Sequence, residues 1–239
     1  MKRPNFTERG FTLVEMIFVL AIILTLVAIF LPLATSKLSD ANETRAKADE
    51  DAISAALTAF FSDLSIWPAS DGVSSSTNQS LHYLFVGDGG ATISSANPTV
   101  AAAATTWDTS GTAPNKFDDG VTPVGTSGTK GNAFNHLAVN NPNANATSDN
   151  TSDFDYKSST TSGTKKKWRG PYIAKLAADP YGNNYVVNIG AVTGTGTSTL
   201  ATEKGWVLSA GSNGILNTDA LDSSTSSDDI GYIFCTKCQ

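Results

Sequence analysis

The chain is apolar almost without interruption from Phe11 to Leu33, and Glu15 is the one charged residue in that segment. The 23 residues of the segment suffice for a membrane-spanning helix, since a helix rises about 1.5 Å per residue and needs roughly 20 residues to cross the hydrocarbon core. Lys2, Arg3 and Arg9 precede the segment, so the positive-inside rule places the N-terminus in the cytoplasm. A cleaved secretory signal would have a shorter apolar core. The pattern therefore predicts a retained single-pass anchor.

Beyond Pro32 the apolar positions become periodic. Apolar side chains recur at three- and four-residue spacing at Ile53, Ala56, Leu57, Phe60, Phe61 and Leu64. This spacing predicts an amphipathic helix, which Pro32 can kink because it lacks a backbone donor. The charged residues between Asp40 and Asp51 lie mostly off this face. We predict that the part from Asp40 to Thr44, with Arg45 and Lys47 nearby, is solvated. The helix should end between Leu64 and Trp67, because the residue before Pro68 is disfavoured in the α region.

The middle of the chain predicts little regular structure. Residues 68–169 are dominated by Ser, Thr, Asn, Gly and Ala, and we interpret them as a low-complexity variable insertion. Two apolar clusters, Leu81–Val86 and Phe134–Val139, interrupt this composition. They predict a short helix and a strand or two.

The last third shows turn and strand patterns. The run from Asp179 to Asn183 is Asp-Pro-Tyr-Gly-Asn, in which Pro sets φ and Gly and Asn tolerate positive φ. Apolar residues at 185–189 and 206–209 then predict two strands. We expect the two strands to form an antiparallel sheet that packs its apolar face on the amphipathic helix. The predicted fold class is α+β, with one long N-terminal helix on a small antiparallel sheet with long loops.

Charge and cysteine content fit an exported protein. The net charge is −6, and an acidic surface is a poor non-specific binder of nucleic acid. Cys235 and Cys238 form a C-x-x-C at the C-terminus, for which we predict a local disulfide outside the cytoplasm. A zinc pair is disfavoured because His82 and His136 show no ligand spacing. A redox-active pair, as in a membrane-anchored thiol oxidoreductase, is the alternative from a different functional class.

The N-terminal residues resemble those of type IV prepilins and of the pseudopilins of type II secretion systems. The family pattern of Gly, Phe, Thr, Leu, a hydrophobic residue and Glu is matched from Gly10 to Glu15. The resemblance implies a leader that a prepilin peptidase removes after Gly10, followed by N-methylation of Phe11. A carboxylate within an apolar segment is costly without a partner. By resemblance that partner is the amino group of Phe11 in a neighbouring subunit, a pairing that sets the register of assembly.

The C-terminal third is similar to the major pseudopilin of type II secretion. Its matching segments are Gly170–Tyr172, Asp179–Tyr185 and Leu208–Gly214. In that family a C-terminal loop binds calcium, a hard cation that takes about six to eight oxygen ligands. The resemblance implies calcium ligands at Leu208, Ser209, Asn213, Asp228 and Asp229. Asn213 departs from the family, which usually has Asp at this position.

The resemblance implies a non-enzymatic filament subunit with five regions. These are the leader (1–10), the transmembrane and filament-core helix (11–33), its amphipathic continuation (34–67), the insertion (68–169), and the C-terminal sheet with the calcium loop and Cys pair (170–239). The expected partners are further copies of the chain, minor pseudopilins, the prepilin peptidase and the inner-membrane assembly platform. The expected location is the bacterial inner membrane, then a periplasmic or extracellular filament. A surface pilin for adhesion or motility is the close alternative.

Overall fold

The computed structural model describes residues 10–69, 81–87, 97–102, 104, 107, 131–142, 156, 168–174, 177–193 and 204–236. The predicted leader up to residue 9, most of the insertion, and Cys238 lie outside the described residues. The chain divides into two compact units with the boundary between Asn42 and Glu43.

Helix α1 runs over Leu13–Leu64 and continues through Pro32. Thr35 Oγ1 donates a hydrogen bond of 2.9 Å to the Pro32 carbonyl. The helix ends where predicted, because Ser65 adopts a positive φ of 53° and Pro68 follows. Within the described part of the chain, α1 is the one helix long and apolar enough to cross a membrane, with an 18-residue window of mean hydropathy 3.0.

The other described elements are short. In chain order they are β1 (Tyr83–Val86), β2 (Thr99–Val100), α2 (Ala133–Leu137), β3 (Tyr185–Asn188), α3 (Gly190–Thr193), β4 (Gly205–Ser209), a 3-10 turn (Gly211–Asn213), β5 (Ile215–Leu216) and β6 (Ile230–Cys235). The strands β1, β3, β4 and β6 form an antiparallel sheet in the order β1-β3-β4-β6. In its centre Leu208 is in register with Val186 on one side and Gly231 on the other. Strands β2 and β5 form a separate parallel pair.

Strands β1, β3 and β4 are buried on both faces, which explains why they do not alternate between apolar and polar residues. The edge strand β6 is only partly buried. Successive side chains of a strand point to opposite faces. Val187 and Val207 face the cluster that contains the α1 residues Ile53, Leu57 and Phe60. Their neighbours along the strands, Val186, Trp206 and Leu208, face the other side of the sheet. There they belong to a second cluster, which also contains Trp107 and Leu216.

These elements confirm the predicted α+β class, with a long N-terminal helix and a small antiparallel sheet. The strands at 185–189 and 206–209 are antiparallel neighbours, as predicted. The two apolar clusters of the middle region contribute β1 and α2. Strand β6 was not predicted from the sequence, which assigned Asp228 and Asp229 to a calcium loop and Cys235 to a disulfide but no strand after them. It pairs with β4 along its length.

Candidate functional site

The predicted processing site lies at the start of the described chain. Gly10 and Phe11 are both exposed, Phe11 with 79% of its surface accessible. A Cβ built on Gly10 meets no atom within 4 Å. The fold therefore leaves the peptide bond between Gly10 and Phe11 uncovered by described residues. Its role as a cleavage site stays a prediction from the resemblance.

Glu15 lies in the first turn of α1 and forms a reciprocal pair with Thr12. The Glu15 backbone N–H donates to Thr12 Oγ1 at 3.3 Å. Glu15 Oε2 in turn accepts from the Thr12 backbone N–H at 2.8 Å and from Thr12 Oγ1 at 2.9 Å. This is a capping box, in which the residue before the helix and the third helical residue satisfy donors that the first turn leaves free.

The role of Thr12 as the capping residue of α1 was not predicted from the sequence. Thr12 was considered only as a position of the prepilin pattern from Gly10 to Glu15, although Thr-x-x-Glu before an apolar run is a known signature of a helix start. The carboxylate of Glu15 is thus fixed within its own chain at the point where the apolar segment begins.

The predicted turn at 179–183 forms around the side chain of Asp179. Asp179 Oδ1 accepts from the backbone N–H groups of Tyr181 at 3.0 Å and Asn183 at 2.7 Å. Gly182 adopts a φ of 92°, which favours glycine. The turn brings Asp179 Oδ2 to Ser209 Oγ, which donates a hydrogen bond of 2.7 Å.

The backbone N–H of the same serine contacts a second carboxyl, that of Glu50 on α1. Glu50 is only 1% exposed, and its Oε1 accepts from the Ser209 backbone N–H at 3.2 Å. Burial raises the pKa of Glu50 to about 8, and the nearby Asp51 and Asp179 act in the same direction. Burial also raises the pKa of Asp179, against the hydrogen bond from Ser209 and those from its own turn. Glu50 was placed off the apolar face of the helix by its spacing in the sequence, and its burial was not predicted.

The predicted calcium loop connects β4 to β6, and Asp228 holds its first half. Asp228 Oδ2 accepts from Ser212 Oγ at 2.8 Å and from the Asn213 backbone N–H at 3.0 Å. Asp228 Oδ1 accepts from Asn213 Nδ2 at 2.5 Å and from Ser227 Oγ at 3.2 Å. Burial favours a higher pKa for Asp228, but these hydrogen bonds together outweigh it and lower the pKa.

Asp229 holds the second half of the loop. Its Oδ2 accepts from the backbone N–H groups of Asn217 at 2.8 Å and Thr218 at 2.6 Å. Burial raises the pKa of Asp229 in spite of these hydrogen bonds. Its other oxygen, Oδ1, is buried without a hydrogen-bond partner.

Hydrogen bonds within the loop occupy the side-chain oxygens of two of the predicted calcium ligands, Asn213 and Asp228. Asn213 Oδ1 accepts a hydrogen bond of 2.6 Å from the Ile215 backbone N–H, and Asn213 Nδ2 donates to Asp228 Oδ1. Both oxygens of Asp228 are occupied by donors, so Asp229 Oδ1 is the one free carboxylate oxygen of the predicted set. Calcium needs about six to eight oxygens. Among the described residues, no group of three or more His, Cys, Asp or Glu could hold a metal ion. The calcium site stays a prediction from the resemblance.

Cys235 is the last residue of β6 and is disulfide-bonded. Cys238, its predicted partner, lies outside the described residues. Their pairing therefore stays a prediction.

Comparison with known families supports the N-terminal interpretation. Residues 5–31 match the model of the prokaryotic N-terminal methylation motif. No curated protein matches the chain, and no solved structure matches it. The motif supports a type IV pilin-like prepilin that a prepilin peptidase processes. With the apolar first half of α1, the motif supports a membrane-anchored single-pass protein and points to a family of structural subunits, for which it implies filament assembly.

Proposed function

We propose that the chain is a filament subunit similar to the major pseudopilin of type II secretion systems, assembled from the inner membrane into a periplasmic fibre. The observation that carries this proposal is the N-terminal methylation motif at residues 5–31, which coincides with the capping box of α1. The segments at 170–172, 179–185 and 208–214 favour the secretion fibre over a surface pilus through their resemblance to the major pseudopilin.

Cleavage after Gly10 would create a new positive charge next to the carboxylate of Glu15. The freed amine of Phe11 in one subunit can then pair with Glu15 of its neighbour. Two opposite charges in a medium of low dielectric attract strongly, whereas an unpaired carboxylate there is costly. Such a pair would align neighbouring α1 helices at one axial register.

The side chains of the first half of α1 suit this assembly. Its large apolar residues are exposed in the single chain, among them Leu13, Phe18, Ile22, Leu26, Phe30 and Leu33. Lipid covers such side chains before assembly, and helices of neighbouring subunits would cover them afterwards. The same segment would therefore serve first as the anchor and then as the filament core.

Processing is tested by the Gly10→Val variant in a cell that carries the peptidase. The full-length precursor should accumulate, because a bulky side chain replaces the glycine next to the cleaved bond. Since a Cβ at Gly10 meets no atom within 4 Å, the effect reports on the peptidase and not on the fold. Mass spectrometry of the N-terminus is the measurement, with Ser36→Val as the matched exposed control. A mature product beginning at Phe11 in the Gly10→Val strain would contradict processing at this site.

Deletion of the gene distinguishes the secretion fibre from a surface pilus. Loss of exported enzymes from the culture medium, with motility intact, is the expected result. Loss of twitching motility and of surface fibres, with secretion intact, would instead favour the surface pilin.

A further inference from the structure

The carboxylate of Asp228 is saturated by hydrogen bonds from its own loop. Four donors reach its two oxygens, and they come from Ser212, Asn213 and Ser227. Two of the four belong to Asn213, which contacts Oδ2 through its backbone N–H and Oδ1 through its side-chain amide. A carboxylate that accepts several such bonds is stabilised in its charged form without a cation.

The orientation of the Asn213 amide follows from its two neighbours. The Ile215 backbone N–H lies 2.6 Å from one end of the amide and requires an oxygen there. The Asp228 carboxylate lies at the other end and requires a donor. Only one of the two possible orientations satisfies both partners. Asn213 therefore offers no side-chain oxygen toward Asp228.

The backbone of the loop is also closed at this point. Gly211 adopts a φ of 60°, and a Cβ built on it would collide with the Asp228 carbonyl. The two ends of the loop are thus in direct backbone contact. In the second half of the loop, Asp229 Oδ2 accepts hydrogen bonds from the backbone N–H groups of Asn217 and Thr218.

We propose that Asp228 and the first half of the loop, from Ser209 to Asn213, fold without a metal ion, because the amide N–H groups of Asn213 occupy the place of a cation beside Asp228. The inference rests on contacts within the loop and does not depend on the proposed filament function. It also identifies Asn213 as the residue that decides whether the loop uses hydrogen bonds or a divalent cation.

Replacing the side-chain amide of residue 213 by a carboxylate should make the loop dependent on a divalent cation. In Asn213→Asp, the donor that faces Asp228 is replaced by a second carboxylate. Two adjacent carboxylates repel each other unless a cation lies between them, and carboxylates are the ligands that calcium prefers. The variant should therefore be destabilised in chelator and stabilised again by calcium.

The test measures thermal unfolding of the full chain in detergent micelles, followed by tryptophan fluorescence, with saturating calcium chloride or with EDTA. The unchanged protein should unfold at the same temperature in both. Asn213→Asp should unfold about 4 °C or more lower in EDTA and recover with calcium. The matched control is Ser224→Asp, which adds the same charge at an exposed residue of the same loop that is not among the donors to Asp228 or Asp229. It should show no calcium response.

The proposal can be overturned by the calcium response of the unchanged protein, compared with that of Asp228→Asn. A rise of its unfolding temperature in calcium that Asp228→Asn abolishes would show that the loop binds the ion. A rise that persists in Asp228→Asn would place the ion away from Asp228 and leave the first half of the loop free of metal, as proposed. If Asn213→Asp unfolds alike in calcium and EDTA, Asn213 is not the deciding residue, and that part of the proposal fails.

Discussion

At the scale of single residues, two glutamates of the same helix are placed by different physical requirements. Glu15 begins α1 and is held by Thr12 in a capping box. Glu50 lies in the core and is held by the Ser209 N–H. The first is satisfied by hydrogen bonds at an exposed helix end, while the second stays uncharged over much of the physiological pH range because burial raises its pKa to about 8.

The capping box predicts the behaviour of Thr12 variants. Thr12→Val removes the hydroxyl that accepts from Glu15, and the loss of such a cap costs about 0.5–2 kcal/mol. Amide hydrogen exchange in the first turn of α1 should therefore be roughly two- to thirty-fold faster than in the unchanged chain. The measurement is exchange followed by mass spectrometry in detergent micelles. Thr12→Ser, which keeps the hydroxyl, should exchange at the original rate, and equal rates in all three proteins would contradict the cap.

The burial of Glu50 predicts that stability falls as the pH rises. The carboxyl binds its proton more tightly in the folded chain than in the unfolded chain, where its pKa is near 4.5. Its favourable contribution is therefore complete below about pH 4.5 and is lost as the pH rises through about 8. Over this window the loss is on the order of a few kcal/mol.

Glu50→Gln tests this dependence, because glutamine keeps the oxygen that accepts from Ser209 but cannot ionise. Chemical unfolding between pH 5 and 8.5 should show a flatter profile and a higher free energy of unfolding at pH 8 than in the unchanged protein. Some slope remains, since burial also raises the pKa of Asp179 and Asp229. The exposed Asp40→Asn variant should keep the original profile. An equally steep profile in Glu50→Gln would refute the assignment.

At the scale of elements, α1 changes its surroundings along its length. Large apolar side chains are exposed up to Leu38, whereas Ile53, Leu57 and Phe60 are at most 2% exposed. One helix therefore carries two apolar surfaces. The later one is covered by the sheet of its own chain, and the earlier one is left for lipid or for other subunits.

This contrast predicts different costs for the same substitution at two positions of α1. Leu57→Ala removes a fully buried side chain and should lower the free energy of unfolding by about 2–5 kcal/mol. Leu38→Ala removes a side chain that is 62% exposed and should change it by less than about 0.5 kcal/mol. Chemical unfolding in detergent micelles compares the two. Similar costs at both positions would contradict the described core.

At the scale of the whole molecule, the proposed filament depends on one charge within an apolar surface. Glu15→Gln keeps the size of the side chain and an oxygen that can accept from Thr12, but it removes the charge that would attract the Phe11 amine of a neighbour. The variant should insert into the membrane and be processed normally. Loss of about 1.4 kcal/mol per contact would weaken each contact about ten-fold, so electron microscopy should show clearly fewer filaments. Filaments in normal number would contradict the charge pairing, and Glu43→Gln is the control for an exposed glutamate outside the apolar segment.

Much of the fold could be predicted from local pattern. The membrane-length segment, the end of α1 before Pro68, the turn at Asp179 and the strands β3 and β4 each depend on spacing or turn chemistry within a few residues. The edge strand β6 could not be predicted this way. Its residues pair with β4 across an intervening loop, and the two acidic residues that precede it, Asp228 and Asp229, were interpreted as part of a metal site.

The candidate sites also differ in whether they depend on contiguous residues or on contacts between distant parts of the chain. The sequence by itself determined the N-terminal motif and the single charge of the anchor, because both are contiguous and their chemistry follows from residue type and hydrophobic length. Only the tertiary structure decided that Glu50 is buried against Ser209 and that Asn213 turns its N–H toward Asp228. The physical reason is that burial and hydrogen-bond direction depend on partners that are 159 and 15 residues away in the chain, and residue type alone does not specify those partners.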